Sequence, residues 1–315
     1  MTPLDKGSQQ VLALIRDLGR PPLYTLSPAE AREASARSRP VLQPEPPEVA
    51  EAEDLSCPGP AGPVRLRRYR GAGTDRGAAL PCLLYLHGGG WVIGDLDSHD
   101  QVCRVLANAA QCCVIAVDYR LAPEHRFPAA VEDSVAALRF VAAEAAALRI
   151  DPGRIAVGGD SAGGNLAAVL AIMGRDGQVP TPGFQLLLYP TVDLLGRWPA
   201  HQRFTEGYPL VARTMDWFID HYAPDQVQRA DWRASPMRHP DLSGVCPAYV
   251  MTAAHDPLVD EGIAYARRLE RENVPVTHVH MADQMHAFLT MGKFCTASDL
   301  ALRQAALALL HHWKG

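Results

Sequence analysis

From residue 64 onward the chain alternates short apolar runs with longer helical stretches, and this alternation restricts the fold more than any other feature. Strand-like runs are read at 64–69, 82–86, 112–117, 155–158, 184–189, 248–252 and 276–279. Helical spacing lies between most of them, over 98–110, 129–148, 164–173, 260–272 and 298–313. Strand and helix in turn predict an α/β fold whose mainly parallel sheet is covered on both faces. Sheets of that kind place their chemistry at the carboxyl ends of the strands. A chain of 315 residues can build one large domain of this type or two small ones.

Two stretches stand outside the rhythm. The first has helical pieces at 8–18 and 28–37 and then the proline-rich RPVLQPEPPEVAEAED, which reads as an appendage followed by an extended connector. The second is a gap of about sixty residues between Tyr189 and Ala248, far longer than ordinary connections. It carries Trp198, Phe204, Tyr208, Trp217, Phe218, Tyr222 and Trp232, with a small helix expected at 214–222. So many aromatic rings need an apolar surface to face, which favours a lid over a solvated excursion.

The stretch VGGDSAGGNLAA, residues 157–168, places Gly158, Gly159, Gly163 and Gly164 around Ser161. A strand-like run precedes it and an apolar, alanine-rich helix follows, the context of a G-x-S-x-G nucleophile elbow. Glycine-rich turns also seat phosphates on helix amides, but neither G-x-x-x-x-G-K-[ST] nor G-x-G-x-x-G occurs. Just after the strand PCLLYL comes HGGGW, His87–Trp91, whose consecutive glycines are costly to order unless the backbone approaches a ligand closely. Amides of Gly88 and Gly89, with that of Ala162, are the expected donors to an oxyanion. His87 is read as a brace for this loop.

A serine hydroxyl needs an imidazole to take its proton and a carboxylate to orient that imidazole. Asp256 follows the strand AYVMTAA directly, and His286 lies in the loop after VPVTHVHM. His278 and His280 share one strand face, His255 should point away from its neighbour, and Asp260 and Glu261 suit the first turn of a helix. The order Ser161, Asp256, His286 is that of the G-x-S-x-G hydrolases.

Taken together, HGGGW, VDYRLAPEHRFPAAVED, RIAVGGDSAGGNLAA, LLLYPTVDL and HDPLVDEGIAYARRL resemble the hormone-sensitive-lipase-like bacterial esterases, in the branch with a G-D-S-A-G elbow. The resemblance implies an α/β-hydrolase fold with a mostly parallel eight-stranded sheet and a helical cap. It divides the chain into N-terminal cap helices and connector (1–55), a core (56–190 and 233–315) and a cap insertion (191–232). It implies hydrolysis of short-chain carboxylic esters through Ser161, His286 and Asp256, with Gly88, Gly89 and Ala162 as oxyanion hole and no cofactor or metal. Amide or acetyl-group hydrolysis at the same site, and a relative that binds small molecules without turnover, are the alternatives. The chain departs from the pattern near His286, where Ala287 replaces the usual glycine and Met281 a frequent aromatic. The DYRLAPEHRFPAA segment is read as a structural support.

Net charge is −5 with no basic block, which argues against a nucleic-acid partner. The first twenty residues read as neither signal peptide nor membrane anchor, and a cytoplasmic address is expected. Seven cysteines without a C-x-x-C pair are read as reduced. A small-molecule ester is the expected partner, and the edge strand around 276–279 could pair two copies into a homodimer.

Overall fold

Strands β1 (Glu51–Gly59), β2 (Gly62–Arg70), β3 (Leu80–Leu86), β4 (Cys113–Asp118), β5 (Ile150–Asp160), β6 (Phe184–Leu188), β7 (Ala248–His255) and β8 (Val276–Met285) form one sheet. They lie in the order β1-β2-β4-β3-β5-β6-β7-β8 in the computed structural model, which describes residues 2–314. β1 pairs antiparallel with β2 and β2 with β4, and every other pairing is parallel.

Successive side chains of a strand point to opposite faces, so each strand feeds two cores. In β3, Leu84 and Leu86 belong to the core that also takes in α4 (Ala129–Ala143), α5 (Ala162–Arg175) and α9 (Val259–Arg271). Leu83 and Tyr85 face α3 (Asp100–Ala110) and α10 (Ala297–Lys314) on the other side. β7 is buried at every position because neighbours flank it on both edges and helices cover both faces. α4 stops at Ala143, short of residue 148, since the chain must turn for Ile150 to pair with Leu80.

The eighth strand is β1, in what reads from sequence as connector, so the boundary expected at residue 55 falls inside a strand of the sheet. Glu51 and Glu53 share a strand face with Leu55 and Cys57, and ion pairs hold this end of the strand where apolar contacts are lacking: Arg68 of β2 contacts both carboxylates.

Helices α1 (Lys6–Asp17) and α2 (Pro28–Leu42) precede the sheet, and α6 (Pro199–Arg203), α7 (Ala212–Tyr222) and α8 (Gln226–Ala230) occupy the long gap after β6. α2 begins with a reciprocal capping box between Ser27 and Glu30 and with Pro28 in its first turn, a combination that satisfies amides the helix leaves free. The α1–α2 arm and α7 both lie over the carboxyl ends of the strands, where they enclose a cavity of about 1160 Å³. Among the described residues no helix is long and apolar enough to cross a membrane.

Candidate active site

β5 ends at Asp160 and α5 begins at Ala162, which leaves Ser161 to make the whole corner, at φ 54° and ψ −116°. Such a conformation costs a non-glycine residue about 1–3 kcal/mol and persists only where its surroundings fix it. Here the Ser161 amide donates to Leu188 O at 2.9 Å, and Ser161 O accepts from Asn165 at 3.1 Å. The corner also brings α5 against β3: a Cβ at Gly163 would stand 1.8 Å from Leu86 O, so only glycine permits the crossing.

Asp256 follows β7 and His286 follows β8, and because these strands are neighbours their ends bring the two residues together. His286 Nδ1 lies 2.6 Å from Asp256 Oδ2, and His286 Nε2 lies 3.0 Å from Ser161 Oγ. A carboxylate only accepts, so Asp256 fixes the proton on Nδ1 and leaves Nε2 free to accept from the serine hydroxyl. Asp256 is itself fully buried and takes a second bond from the Leu258 amide at 2.8 Å. Ser161 and His286 lie on the cavity floor, within reach of a molecule under the cap.

The loop after β3 differs from expectation at one residue. The Gly88 amide does not face the cavity as a free donor; it donates to Asp160 Oδ1 at 2.9 Å. A Cβ at Gly88 would stand 2.3 Å from Asp160 Oδ2, so the glycine serves this close approach. The amides of Gly89, Gly90 and Ala162 have no acceptor among the described residues, and all three residues adjoin Ser161 or line the cavity. The Gly90 amide, and not that of Gly88, therefore stands free beside those of Gly89 and Ala162.

Asp160, given no role by the sequence reading, is the centre of a buried polar cluster. It also accepts from Tyr85 OH at 2.8 Å and from His99 Nε2 at 3.2 Å. Burial pushes its carboxyl upward, but His99 and the Tyr85 hydroxyl outweigh burial and hold it below the usual carboxylate range. His87 braces the loop as expected from sequence: its Nδ1 lies 2.8 Å from Gly88 O, and its ring stacks on Tyr119 at 4.3 Å. Burial, followed by the neighbouring His99, depresses His87 to about 4, so it remains neutral.

Glu261 is more than a helix-end charge. It is wholly buried, accepts from the Val192 amide at 3.1 Å, and burial raises its carboxyl well above the ordinary value. Asp260 accepts from the Ala200 amide at 2.7 Å and so tethers α6 of the cap. His255 Nε2 meets Thr2 O at 2.8 Å and its Nδ1 meets Tyr208 OH at 3.2 Å, while His278 and His280 both bond Thr252 Oγ1.

The cavity walls are largely apolar. Trp91 stacks on Tyr222 at 4.2 Å, and the Phe218 ring lies directly over Gly90. Met215 and Ile219 of α7 and Leu12 and Ile15 of α1 line the same space.

A family model described as alpha/beta hydrolase fold matches residues 83–290, spanning the elbow, the HGGGW loop, Asp256 and His286. The chain belongs to the α/β-hydrolase family. Among curated relatives, this hydrolase is 40% identical to the carboxylic ester hydrolase LipN of Mycobacterium tuberculosis, over 98% of this chain and 83% of that one. It is 41% identical to the ethyl acetate hydrolase of Pseudomonas putida, over 92% of each. Among solved structures, an ester hydrolase from the metagenome of Lake Arreo superposes with a TM-score of 0.95 at 41% identity, covering 99% of this chain and 100% of that one. The α/β hydrolase described here is a carboxylic ester hydrolase of the hormone-sensitive-lipase-like group.

Proposed function

We propose that this hydrolase cleaves esters of short-chain carboxylic acids, with Ser161 as nucleophile, His286 as general base and then general acid, and Asp256 as the residue that orients the imidazole. The reading is carried by the hydrogen-bonded line from Asp256 through His286 to Ser161. His286 takes the serine proton as Oγ attacks the ester carbonyl, and it returns that proton to the departing alcohol. Water then attacks the acyl-enzyme with the same base. Amides of Gly89, Gly90 and Ala162 bind the oxyanion, each contributing about 3–4 kcal/mol to the transition state.

A short acyl group is supported by Phe218 and the Trp91–Tyr222 stack, which crowd the space beside the oxyanion loop. The Pseudomonas putida relative is named for ethyl acetate, an ester of this class. The wider apolar space between α1 and α7 suits the alcohol portion. A cytoplasmic location is supported by seven cysteines without a disulfide. β8 is an edge strand of the sheet, which supports a homodimer formed there; a monomer by size-exclusion chromatography with light scattering would remove that part.

The test is initial-rate hydrolysis of p-nitrophenyl esters from acetate to palmitate, with matched anilides in parallel. The expected result is a maximum at short chains, little cleavage of anilides, and rates near background for Ser161→Ala and His286→Ala. A maximum at long chains or on the anilides would replace the substrate class, and full activity in Ser161→Ala would remove the mechanism.

A further inference from the structure

The buried cluster around Asp160 continues beyond the active site and ends on the cap. His99 Nδ1 lies 2.9 Å from Ser98 Oγ. Ser98 is locked to Asp95 in both directions: Asp95 N donates to Ser98 Oγ at 2.9 Å, and Ser98 N donates to Asp95 Oδ1 at 2.6 Å. Arg39, in the last turn of α2, places Nη2 2.9 Å from each oxygen of the Asp95 carboxylate. Gln43, just past the end of α2, donates to Ser98 O at 2.8 Å.

Arg39, Asp95, Ser98, His99, Asp160 and Gly88 thus form one unbroken line of hydrogen bonds from the N-terminal cap helix to the oxyanion loop. Ser98, His99 and Asp160 are buried, where each polar contact is stronger and its loss more costly than at the surface. Asp160 stands next to the nucleophile in sequence and holds Gly88, the residue directly before Gly89 and Gly90. A shift of Asp160 therefore displaces the loop amides relative to Ser161 Oγ. Electrostatic stabilisation of an oxyanion depends on donors already aimed at the position the charge will take. α2 reaches the same loop a second time, through Arg32 Nε, which donates to Val92 O at 2.8 Å.

We propose that Asp160 and His99 are positioning residues for the oxyanion loop, and that docking of α2 through Arg39 on Asp95 sets their placement. The N-terminal cap helix then governs turnover of bound ester as well as access to the cavity. The inference rests on the oxyanion role given above to Gly89, Gly90 and Ala162.

The experiment is a double-mutant cycle on the full chain, with kcat and KM for p-nitrophenyl butyrate measured for wild type, Arg39→Ala, Asp160→Asn and the double variant. Asp160→Asn is expected to lower kcat about 10- to 100-fold with little change in KM, a fraction of what loss of an entire oxyanion donor costs. Arg39→Ala is expected to lower kcat about 3- to 10-fold, Arg39→Lys to recover most of it, and the double variant to be no slower than Asp160→Asn alone. Ser98→Ala, which breaks the same line farther from the nucleophile, replaces Asp160→Asn in the cycle if circular dichroism shows the latter unfolded. An unchanged kcat in Arg39→Ala, a change confined to KM, or losses that multiply fully would overturn the proposal. Activity surviving in Ser161→Ala would instead overturn the catalytic reading, so the two failures are distinct.

Discussion

Ala287 follows His286 directly and sits in the left-handed region, at φ 65° and ψ 11°. An L-residue with a Cβ is disfavoured there by about 1–2 kcal/mol, part of which glycine offsets through its greater freedom in the unfolded chain. Ala287→Gly should therefore raise stability by about 0.5–1 kcal/mol in urea denaturation, with kcat close to wild type. Asp256→Asn should act in the opposite sense, because an amide no longer dictates which imidazole nitrogen carries the proton. Its expected cost is about 10³- to 10⁴-fold in kcat with the thermal midpoint little changed, read by steady-state kinetics beside calorimetry. Ser161, Asp256 and His286 are legible from sequence because each follows a strand-like run in the order the elbow chemistry demands. Which glycine amides remain free is not legible. That depends on the carboxylate of Asp160, which reaches Gly88 only after β3 and β5 have paired.

Seven of the eight strands can be read as apolar runs; β1 cannot. EAEDLSCPG carries acidic residues and a proline, and only Leu55 and Cys57 of its positions join the core. Its attachment is electrostatic, with the Arg68 side chain only 6% exposed between Glu51 and Glu53, and with Arg149 a further 3.1 Å contact to Glu51. Removing one partner of a largely buried pair leaves the other charge poorly solvated. Glu51→Ala should thus cost about 1–2 kcal/mol, with Glu53 retaining part of the interaction, and the urea midpoint measures it. The same lesson holds for α9, where Glu261 looks like an ordinary first-turn acid. Only the packing of α9 under the Thr191–Val192 segment shows that it is a buried, hydrogen-bonded carboxyl.

Across the whole molecule, His87 links the active-site scaffold to acid stability. The unfolded chain takes up its proton as pH falls below about 6.5, whereas the folded protein resists until about 4. The stabilisation is complete above the unfolded value and is lost as pH falls through that window, by at most about 3 kcal/mol. Chemical denaturation from pH 7 to 4 should show this decline, and His87→Gln should show much less of it. The cap has a different whole-chain consequence. The Asp5 amide donates to Asp283 O at 3.0 Å, Ser8 Oγ meets Cys295 Sγ at 3.6 Å, and a Cβ on Gly7 would overlap Phe294 O. α1 is thus seated on β8 and the segment leading into α10. Because synthesis runs from the N-terminus, this helix leaves the ribosome long before its seat has been made. It gains that seat only once the whole sheet has been translated, so the finished pocket is closed by a helix made before the sheet and timed by the last strand.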